Sequence, residues 1–331
     1  MKKGNNLRLK FGNDEVSLKL GRILGRGTFG TVNLAIDKKD RKQYAVKMSQ
    51  CIDGATYFAA AREIEALITL CHANIAKMKA FDFLNNNAVI VMEYCEGGDL
   101  NQRLCQEDIA ERVKLAWIVQ LCDAMIYLHE KGMVHRDLKP QNVLLSNDQI
   151  KLTDFGISRY YKTDGLSGNN LSEFLGTFAG TPYWVAPEVF DQRYTETADI
   201  FSVGVLCYAI LHQESIIYEN ERYFGIFVIH NGREVGLGLA MVEQNREILP
   251  SKTHIVESID NIIVQLVRRD PQDRVSLKDA REEIAEQLRE YHLVNVEEGV
   301  VHRHGIRAHA WTLFDNWLPA FIPRNNFCTI L

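Results

Sequence analysis

The sequence predicts an α+β fold, antiparallel strands first and a mainly helical half after them, and three observations predict it. From Leu18 to Tyr44, β-branched and apolar residues alternate with turn signals, which suits a run of short antiparallel strands. A second strand pair spans Phe81 to Tyr94 around the turn Asn85-Asn86-Asn87. From Leu100 on the character changes to helix, and the segment from Val113 to Glu130 is long enough for a core helix. A chain of 331 residues has room for a large core and, on the length prior, for roughly two domains. Its hydrophobic content of 46% and charged content of 24% are ordinary for a globular protein, and a formal net charge of -5 argues against a general nucleic-acid binder. The N-terminus MKKGNNLRLK carries charge without an apolar stretch behind it, so it is not a secretory signal and a cytoplasmic location is expected. The seven cysteines show no C-x-x-C or other zinc spacing and read as reduced core residues. The longest apolar run, Ile200 to Leu211, falls short of the roughly 18 residues a membrane span needs.

Taken in order, residues 1–17 are polar and are expected to form a poorly ordered extension, with structure beginning near Leu18. Inside the first strand run lies Gly25-Arg26-Gly27-Thr28-Phe29-Gly30. Glycines let the backbone lie close over phosphates. Because Val32-Asn33-Leu34-Ala35-Ile36 continues as strand and not as helix, the loop reads as a flap over a nucleotide triphosphate, unlike a dinucleotide-binding turn. Tyr44-Ala45-Val46-Lys47-Met48 is the next strand, with Lys47 between apolar neighbours. Ala59 to Leu70 has helical composition, and Ile64, Leu67, Ile68 and Cys71 recur along one face. The run from Ala88 to Met92 leads through Glu93-Tyr94-Cys95 and Glu96-Gly97-Gly98-Asp99 into the helical half. The long helix stops at Lys131-Gly132, and His129 reads as a helix-end residue without chemistry. Then comes His135-Arg136-Asp137-Leu138-Lys139-Pro140-Gln141-Asn142, followed by two short strands turning at Ser146-Asn147-Asp148 and by Asp154-Phe155-Gly156. These are the groups phosphoryl transfer requires. A carboxylate can accept the proton of an incoming hydroxyl, a cation can neutralise the moving phosphoryl group, and an amide with a second carboxylate can hold magnesium. The order H-R-D-L-x-x-x-N and then D-F-G resembles the catalytic and metal-binding loops of the protein kinase family.

The resemblance covers residues 18–290 and implies a bilobal protein kinase fold. An N-lobe (18–95) of antiparallel strands with one key helix and a mainly α-helical C-lobe (96–290) would hold ATP and Mg2+ in the cleft. Carried onto the matching positions, it makes Asp137 the catalytic base, Lys139 and Lys47 the stabilisers of phosphate charge, and Asn142 and Asp154 the metal ligands. Gly25, Gly27, Gly30, Val32, Ala45 and Leu144 would line the nucleotide. Met92 would guard the back of the adenine pocket, the backbones of Glu93 and Cys95 would bond the adenine edge, and Asp99 would reach the ribose. Glu63 is the implied partner of Lys47, in preference to Glu65, from its spacing to His72-Ala73-Asn74-Ile75. Asp199 would brace the catalytic-loop backbone and Arg274 would pair with Glu188. The ending Gly180-Thr181-Pro182-Tyr183-Trp184-Val185-Ala186-Pro187-Glu188, with Lys139, resembles serine/threonine kinases more than tyrosine kinases, so protein substrates with Ser or Thr hydroxyls are implied. The competing expectation is a pseudokinase, the same fold serving as a binding scaffold, and the complete set of catalytic residues argues against it.

Two stretches depart from the family pattern. Phe201 stands where Trp is frequent, and the segment from Leu211 to Leu249 replaces a short Pro-Phe-containing loop on the face that helps dock substrates. Arg136 precedes Asp137, and family members with that arginine commonly need a phosphate on the activation segment. Thr177 is the expected site, with Ser167 and Ser172 behind it, and an upstream activating kinase is implied. Residues 291–331 lie outside the resemblance. Cys328-Thr329-Ile330-Leu331 fits the C-a-a-X prenylation signal, with Leu favouring geranylgeranyl. Trp311, Phe314, Trp317, Leu318, Phe321 and Ile322 on one helix side would suit a bilayer interface, giving a membrane anchor on the cytosolic side. Against this, Pro319 and Pro323 interrupt such a helix. The other expectation is a tail packed by these aromatic residues onto the C-lobe, with Cys328 a free thiol. A monomer is expected.

Overall fold

The computed structural model describes residues 6–11, 14–27, 30–106, 109–155, 158–160, 183–191, 193–250 and 257–297. The chain divides into two compact units, Met1–Leu288 and Arg289–Leu331.

The first part of the chain is one antiparallel sheet. It holds β1 (Asn6–Phe11), β2 (Asp14–Gly27), β3 (Gly30–Asp37), β4 (Gln43–Gln50), β5 (Met78–Leu84) and β6 (Asn87–Glu93) in the order β1-β2-β3-β4-β6-β5. Between β4 and β5 runs α1 (Gly54–Thr69). A capping box starts it: Asp53 Oδ1 accepts from the Thr56 N–H, and Thr56 Oγ1 accepts from the Asp53 N–H. Its buried face carries Glu63, Ile64 and Leu67. Ile68 and Cys71, expected on that face, are exposed. Ile68 lies about 100° round the helix from Leu67, and Cys71 follows a helix already ended at Thr69.

The expectation of an unordered extension over residues 1–17 is corrected by β1, which pairs with β2 from Asn6↔Lys19 to Phe11↔Asp14. The reason is a short alternation among polar residues. Leu9 and Val16 are buried with Leu18, Ala35, Val46, Ala80, Val89 and Val91, while Asn6 and Arg8 face solvent. Strand β6 separates this cluster from the main core, since Val89 and Val91 belong to it while Ile90 and Met92 pack with Ile64 and Leu67. β1 also lies against β5, so the sheet curls around the cluster.

Helices dominate the second part. They are α2 (Leu100–Leu104), α3 (Glu111–Glu130), α4 (Glu196–His212), α5 (Leu237–Glu243), α6 (Glu257–Leu266) and α7 (Leu277–Glu297), which with α1 make seven among the described residues. The α+β architecture of a strand half and a helical half is the one the sequence predicts. α4 is buried along nearly its whole length and acts as the central post of this half. β7 (Met133–Val134) pairs with β10 (Arg159–Tyr160), and the hairpin of β8 (Val143–Ser146) and β9 (Gln149–Leu152) follows a 3-10 turn at Pro140–Asn142.

The departing segment 211–249 forms two hairpins, β11 (Ser215–Tyr218) with β12 (Glu221–Phe224) and β13 (Phe227–His230) with β14 (Arg233–Gly236), leading into α5. Both turn on two-residue loops in which each residue has positive φ, Glu219 (50°) with Asn220 (65°) and Asn231 (50°) with Gly232 (74°). That is the geometry whose twist matches the flanking strands.

If β1 is part of the fold and not an appendage, Leu9→Ala, which removes a side chain only 1% exposed, should lower the unfolding free energy by about 2–4 kcal/mol. Urea titration of the two proteins checks this, and an unchanged midpoint would contradict it.

Candidate active site

Lys47 sits mid-strand on β4, opposite Val32 on β3 and Ile90 on β6. Its Nζ lies 2.6 Å from Glu63 Oε1 and 3.0 Å from Asp154 Oδ1. Two carboxylates from α1 and from the strand end after β9 thus meet one ammonium. Burial alone would lower the Lys47 pKa, yet the charges of Asp154 and Glu63 outweigh it and hold the group above its ordinary value. The Lys47 charge in turn keeps the Asp154 carboxyl below its usual range. Burial pushes Glu63 upward against the pull of Lys47. Glu65 faces solvent, so the choice between the two glutamates falls on Glu63.

Asp137 is held by its own loop. Lys139 Nζ donates to both carboxylate oxygens, at 2.9 and 2.7 Å, and Asn142 Nδ2 donates to Asp137 Oδ2 at 2.8 Å and to its carbonyl at 2.7 Å. The Asn142 amide nitrogen is spent on Asp137, which leaves its side-chain oxygen as the group for a cation. Asp154, with 45% of its side chain exposed, offers a carboxylate. One amide oxygen and one carboxylate fit magnesium, which binds few protein oxygens and keeps the rest of its shell for water and phosphate. Among the described residues no three His, Cys, Asp or Glu side chains converge as a metal cage. Asp154 also has φ 63°, a left-handed backbone unusual for a residue other than glycine.

The loop from His135 to Asn142 is fixed from beneath by Asp199, fully buried near the start of α4. Its Oδ2 accepts from the His135 N–H at 2.8 Å and its Oδ1 from the Arg136 N–H at 3.1 Å. His129 Nε2 lies 3.0 Å from Oδ2, and Tyr194 donates to Oδ1 at 3.3 Å. Burial would raise the Asp199 pKa, but the hydrogen bonds and charge of its partners, His129 foremost, pull it below the ordinary value. His129 is therefore no idle helix end, and that expectation is corrected. Its signal in the sequence was a histidine on the last turn of α3, six residues before His135. His135 is buried, lies 3.1 Å from the Thr153 carbonyl through Nε2 and packs on Phe155, and burial lowers its pKa. Arg136, at φ 71°, stacks its guanidinium 5.2 Å from the Tyr194 ring centre. Arg274 grips Glu188 in a two-point pair at 2.6 and 2.8 Å.

The residues that the resemblance assigns to the nucleotide fall on β2, β3, β4, β6, β8 and the connection after β6. A Cβ on Gly25 or Gly27 would meet nothing within 4 Å, whereas one on Gly30 would run into the Met48 carbonyl at 1.9 Å. Ala45 and Met92 are buried neighbours across β4 and β6, and Leu144 on β8 bridges to Asp99. Cys95 is buried, and that burial pushes its thiol up to about 12, out of reach of nucleophilic chemistry at neutral pH. Glu93 has a side-chain task the sequence does not announce: Oε1 accepts from the Lys77 N–H at 2.8 Å and pairs with Lys151 of β9 at 3.1 Å, tying the two halves together. Asp99 caps α2 through the Gln102 N–H at 2.8 Å. Thr177, Cys328, Gly156 and the aromatic tail lie outside the described residues.

A family profile described as "Protein kinase domain" matches residues 18–284. The chain is 32% identical over 262 residues to serine/threonine-protein kinase Nek5 of Mus musculus, covering 77% of this chain and 38% of that protein. It is 30% identical over 267 residues to mouse serine/threonine-protein kinase Nek1, covering 78% and 20% of the two. It is also 32% identical over 265 residues to mouse serine/threonine-protein kinase ULK3, covering 77% and 52%. The matches thus span from a fifth to about half of these relatives' own lengths.

Replacing Asp199 by Asn leaves buried donors facing a neutral amide and should cost about 3–5 kcal/mol at pH 7. The pKa of Asp199 is lowered on folding, so its contribution is complete above the ordinary value of 3.8 and is lost as pH falls through the folded value. Urea unfolding of wild type and Asp199→Asn from pH 7 to pH 3 should show the gap closing only below about pH 4. A gap independent of pH would rule out the charge as its source.

Proposed function

We propose that this chain, which belongs to the protein kinase family, is a serine/threonine kinase that transfers the γ-phosphate of ATP to protein hydroxyls. The observation that carries the reading is Lys47 Nζ within 3.0 Å of both Glu63 and Asp154, beside an Asp137 clasped by Lys139 and Asn142. Asp137 orients the substrate hydroxyl and takes its proton as the new O–P bond forms and the bond to the bridging oxygen of ADP breaks. Lys139 and Lys47 stabilise the phosphoryl oxygens. Asn142 and Asp154 would hold magnesium, which when bound neutralises phosphate charge. A scaffold without catalysis would have no need of this complete set.

The same reading includes control by phosphorylation of Thr177 by an upstream kinase. Arg136 carries a positive charge one residue before Asp137, and a phosphate on Thr177 would pair with it.

Purified protein with ATP, magnesium and a Ser/Thr peptide library should incorporate phosphate, and Asp137→Asn should reduce kcat by about 10²–10⁴-fold while leaving the melting temperature in place. No transfer by folded wild type, before or after treatment with cell-extract kinases, would leave the scaffold reading in its place. If Thr177 is the switch, Thr177→Ala should match phosphatase-treated wild type in activity; full activity in that variant would eliminate the site.

A further inference from the structure

The strand half carries a basic surface at the end of β3 away from the glycine-rich turn, and part of it is built from residues outside the family profile. That profile begins at residue 18, whereas the pairing of β1 with β2 starts at Asn6. Across this pair Arg8 stands opposite Ser17 and Asn6 opposite Lys19, so Arg8 and Lys19 share one face. Both are exposed. The Ser17 carbonyl accepts from the Lys38 N–H at 2.9 Å, which brings the turn between β3 and β4 alongside them.

That turn is Asp37-Lys38-Lys39-Asp40-Arg41-Lys42, and its acids are engaged by its own backbone. The Asp37 N–H donates to the Lys42 carbonyl at 2.9 Å, and the Arg41 N–H donates to the Asp37 carbonyl at 3.0 Å. Asp37 Oδ1 accepts from the Lys39 N–H at 2.7 Å and Asp40 Oδ1 from the Lys42 N–H at 2.9 Å. Asp37 is buried, while Lys38, Lys39, Arg41 and Lys42 are exposed. Lys42 Nζ lies 4.0 Å from Asp40 with 72% of its side chain exposed, a pair too solvated to cancel much charge. Arg41 has φ 63°, a left-handed backbone that glycine or asparagine takes at lower cost, so a cation stands here against the backbone preference. Among the described side chains of β1, of β2 as far as Lys19 and of this turn, these six cations meet one exposed acid, Asp40. The whole chain carries a formal charge of -5, so the rest of the molecule is more negative still.

We propose that this surface binds the anionic face of a lipid bilayer. The proposal goes beyond the kinase reading and does not depend on it. The charges lie on a turn and a strand face open to solvent, an arrangement that can meet a broad layer of headgroups at several points at once. Each Lys or Arg near an anionic membrane strengthens binding about fivefold, an attraction that fades within a Debye length. The negative remainder is repelled by the same headgroups, which orients the molecule with this end toward the bilayer. From Asp37 back to Gly30, β3 runs about 23 Å, so a bilayer at the turn leaves the glycine-rich turn clear. The C-a-a-X pattern at Cys328 would name the same partner, because one lipid chain gives only marginal attachment and a polybasic patch is a second signal that makes it stable.

The test floats the full chain, made in bacteria and so without a lipid, on vesicles of phosphatidylcholine alone or with about 30% phosphatidylserine. Wild type should partition onto the anionic vesicles at least about tenfold more than onto the neutral ones, and should lose most of that binding between about 0.05 M and 0.5 M salt. The variant Lys38→Gln, Lys39→Gln, Arg41→Asn, Lys42→Gln keeps every backbone bond of the turn, and Asn suits the left-handed position, so its melting temperature should not fall. Its partitioning onto anionic vesicles should drop about tenfold or more. Arg193→Gln with Lys278→Gln, which neutralises two exposed cations of the helical half, should leave partitioning unchanged. Equal partitioning of wild type onto the two vesicle types, or undiminished binding by the four-site variant, would overturn the proposal. Binding of heparin or DNA by wild type that ignores the anionic vesicles would overturn it as well and assign the surface to another polyanion.

Discussion

A carboxylate without solvent exposure, Asp199, sets the geometry on which the site depends. An uncompensated buried charge costs several kcal/mol, so the surrounding chain must supply donors, and the donors come from three places at once: the end of α3 through His129, the backbone of His135 and Arg136, and Tyr194 ahead of α4. Holding two consecutive N–H groups on one carboxylate is compatible with the left-handed backbone of Arg136. That conformation is unfavourable in isolation and persists because the surrounding bonds over-determine it. Asp137 follows directly, and its direction is inherited from this arrangement before Lys139 and Asn142 refine it.

A second buried charge cluster works in the same way across the cleft. Lys47 is acceptable in an apolar strand only because Glu63 and Asp154 both reach it. The cluster therefore couples three elements that are remote in sequence: β4, α1 and the strand end after β9. Displacement of α1 would leave Lys47 and Glu63 each short of a partner, so the position of that helix and the placement of the Lys47 ammonium are one variable. Glu93, joined to Lys77 and Lys151, supplies a further tie between the two halves at the connection beyond β6.

What could be read from the sequence, and what could not, follows from chain separation. Asp137, Lys139 and Asn142 act on one another within six residues, and a local motif carries nearly all of their geometry. Glu63 is picked out over Glu65 by the family's spacing to His72-Ala73-Asn74-Ile75, which is also local. His129 meets Asp199 across 70 residues, and nothing in the helix-end pattern of α3 says what the imidazole faces. Lys151 pairs with Glu93 from a strand whose register had to be known first. β1 escaped notice for a different reason: only Leu7, Leu9 and Phe11 alternate within a polar stretch, too short a pattern to outweigh composition, and the burial of Leu9 depends on β5 closing the far edge of the sheet. Ile68 failed in the opposite direction, because apolar character at helical spacing names a stripe but not its centre.

The segment 211–249 shows how far the fold can change while its site is kept. Its hairpins have turn residues legible in isolation, Asn231-Gly232 above all, but the role of its later glycines is not. Gly236 and Gly238 are required where the backbone of Tyr183–Val185 passes within van der Waals distance, and a side chain at either position would push the two segments apart. Trp184 and Ser202 then transmit that position to α4, the helix that carries Asp199. Replacement of the outer element is thus tolerated so long as its inner edge still meets Tyr183–Val185, and freedom remains on the outward face.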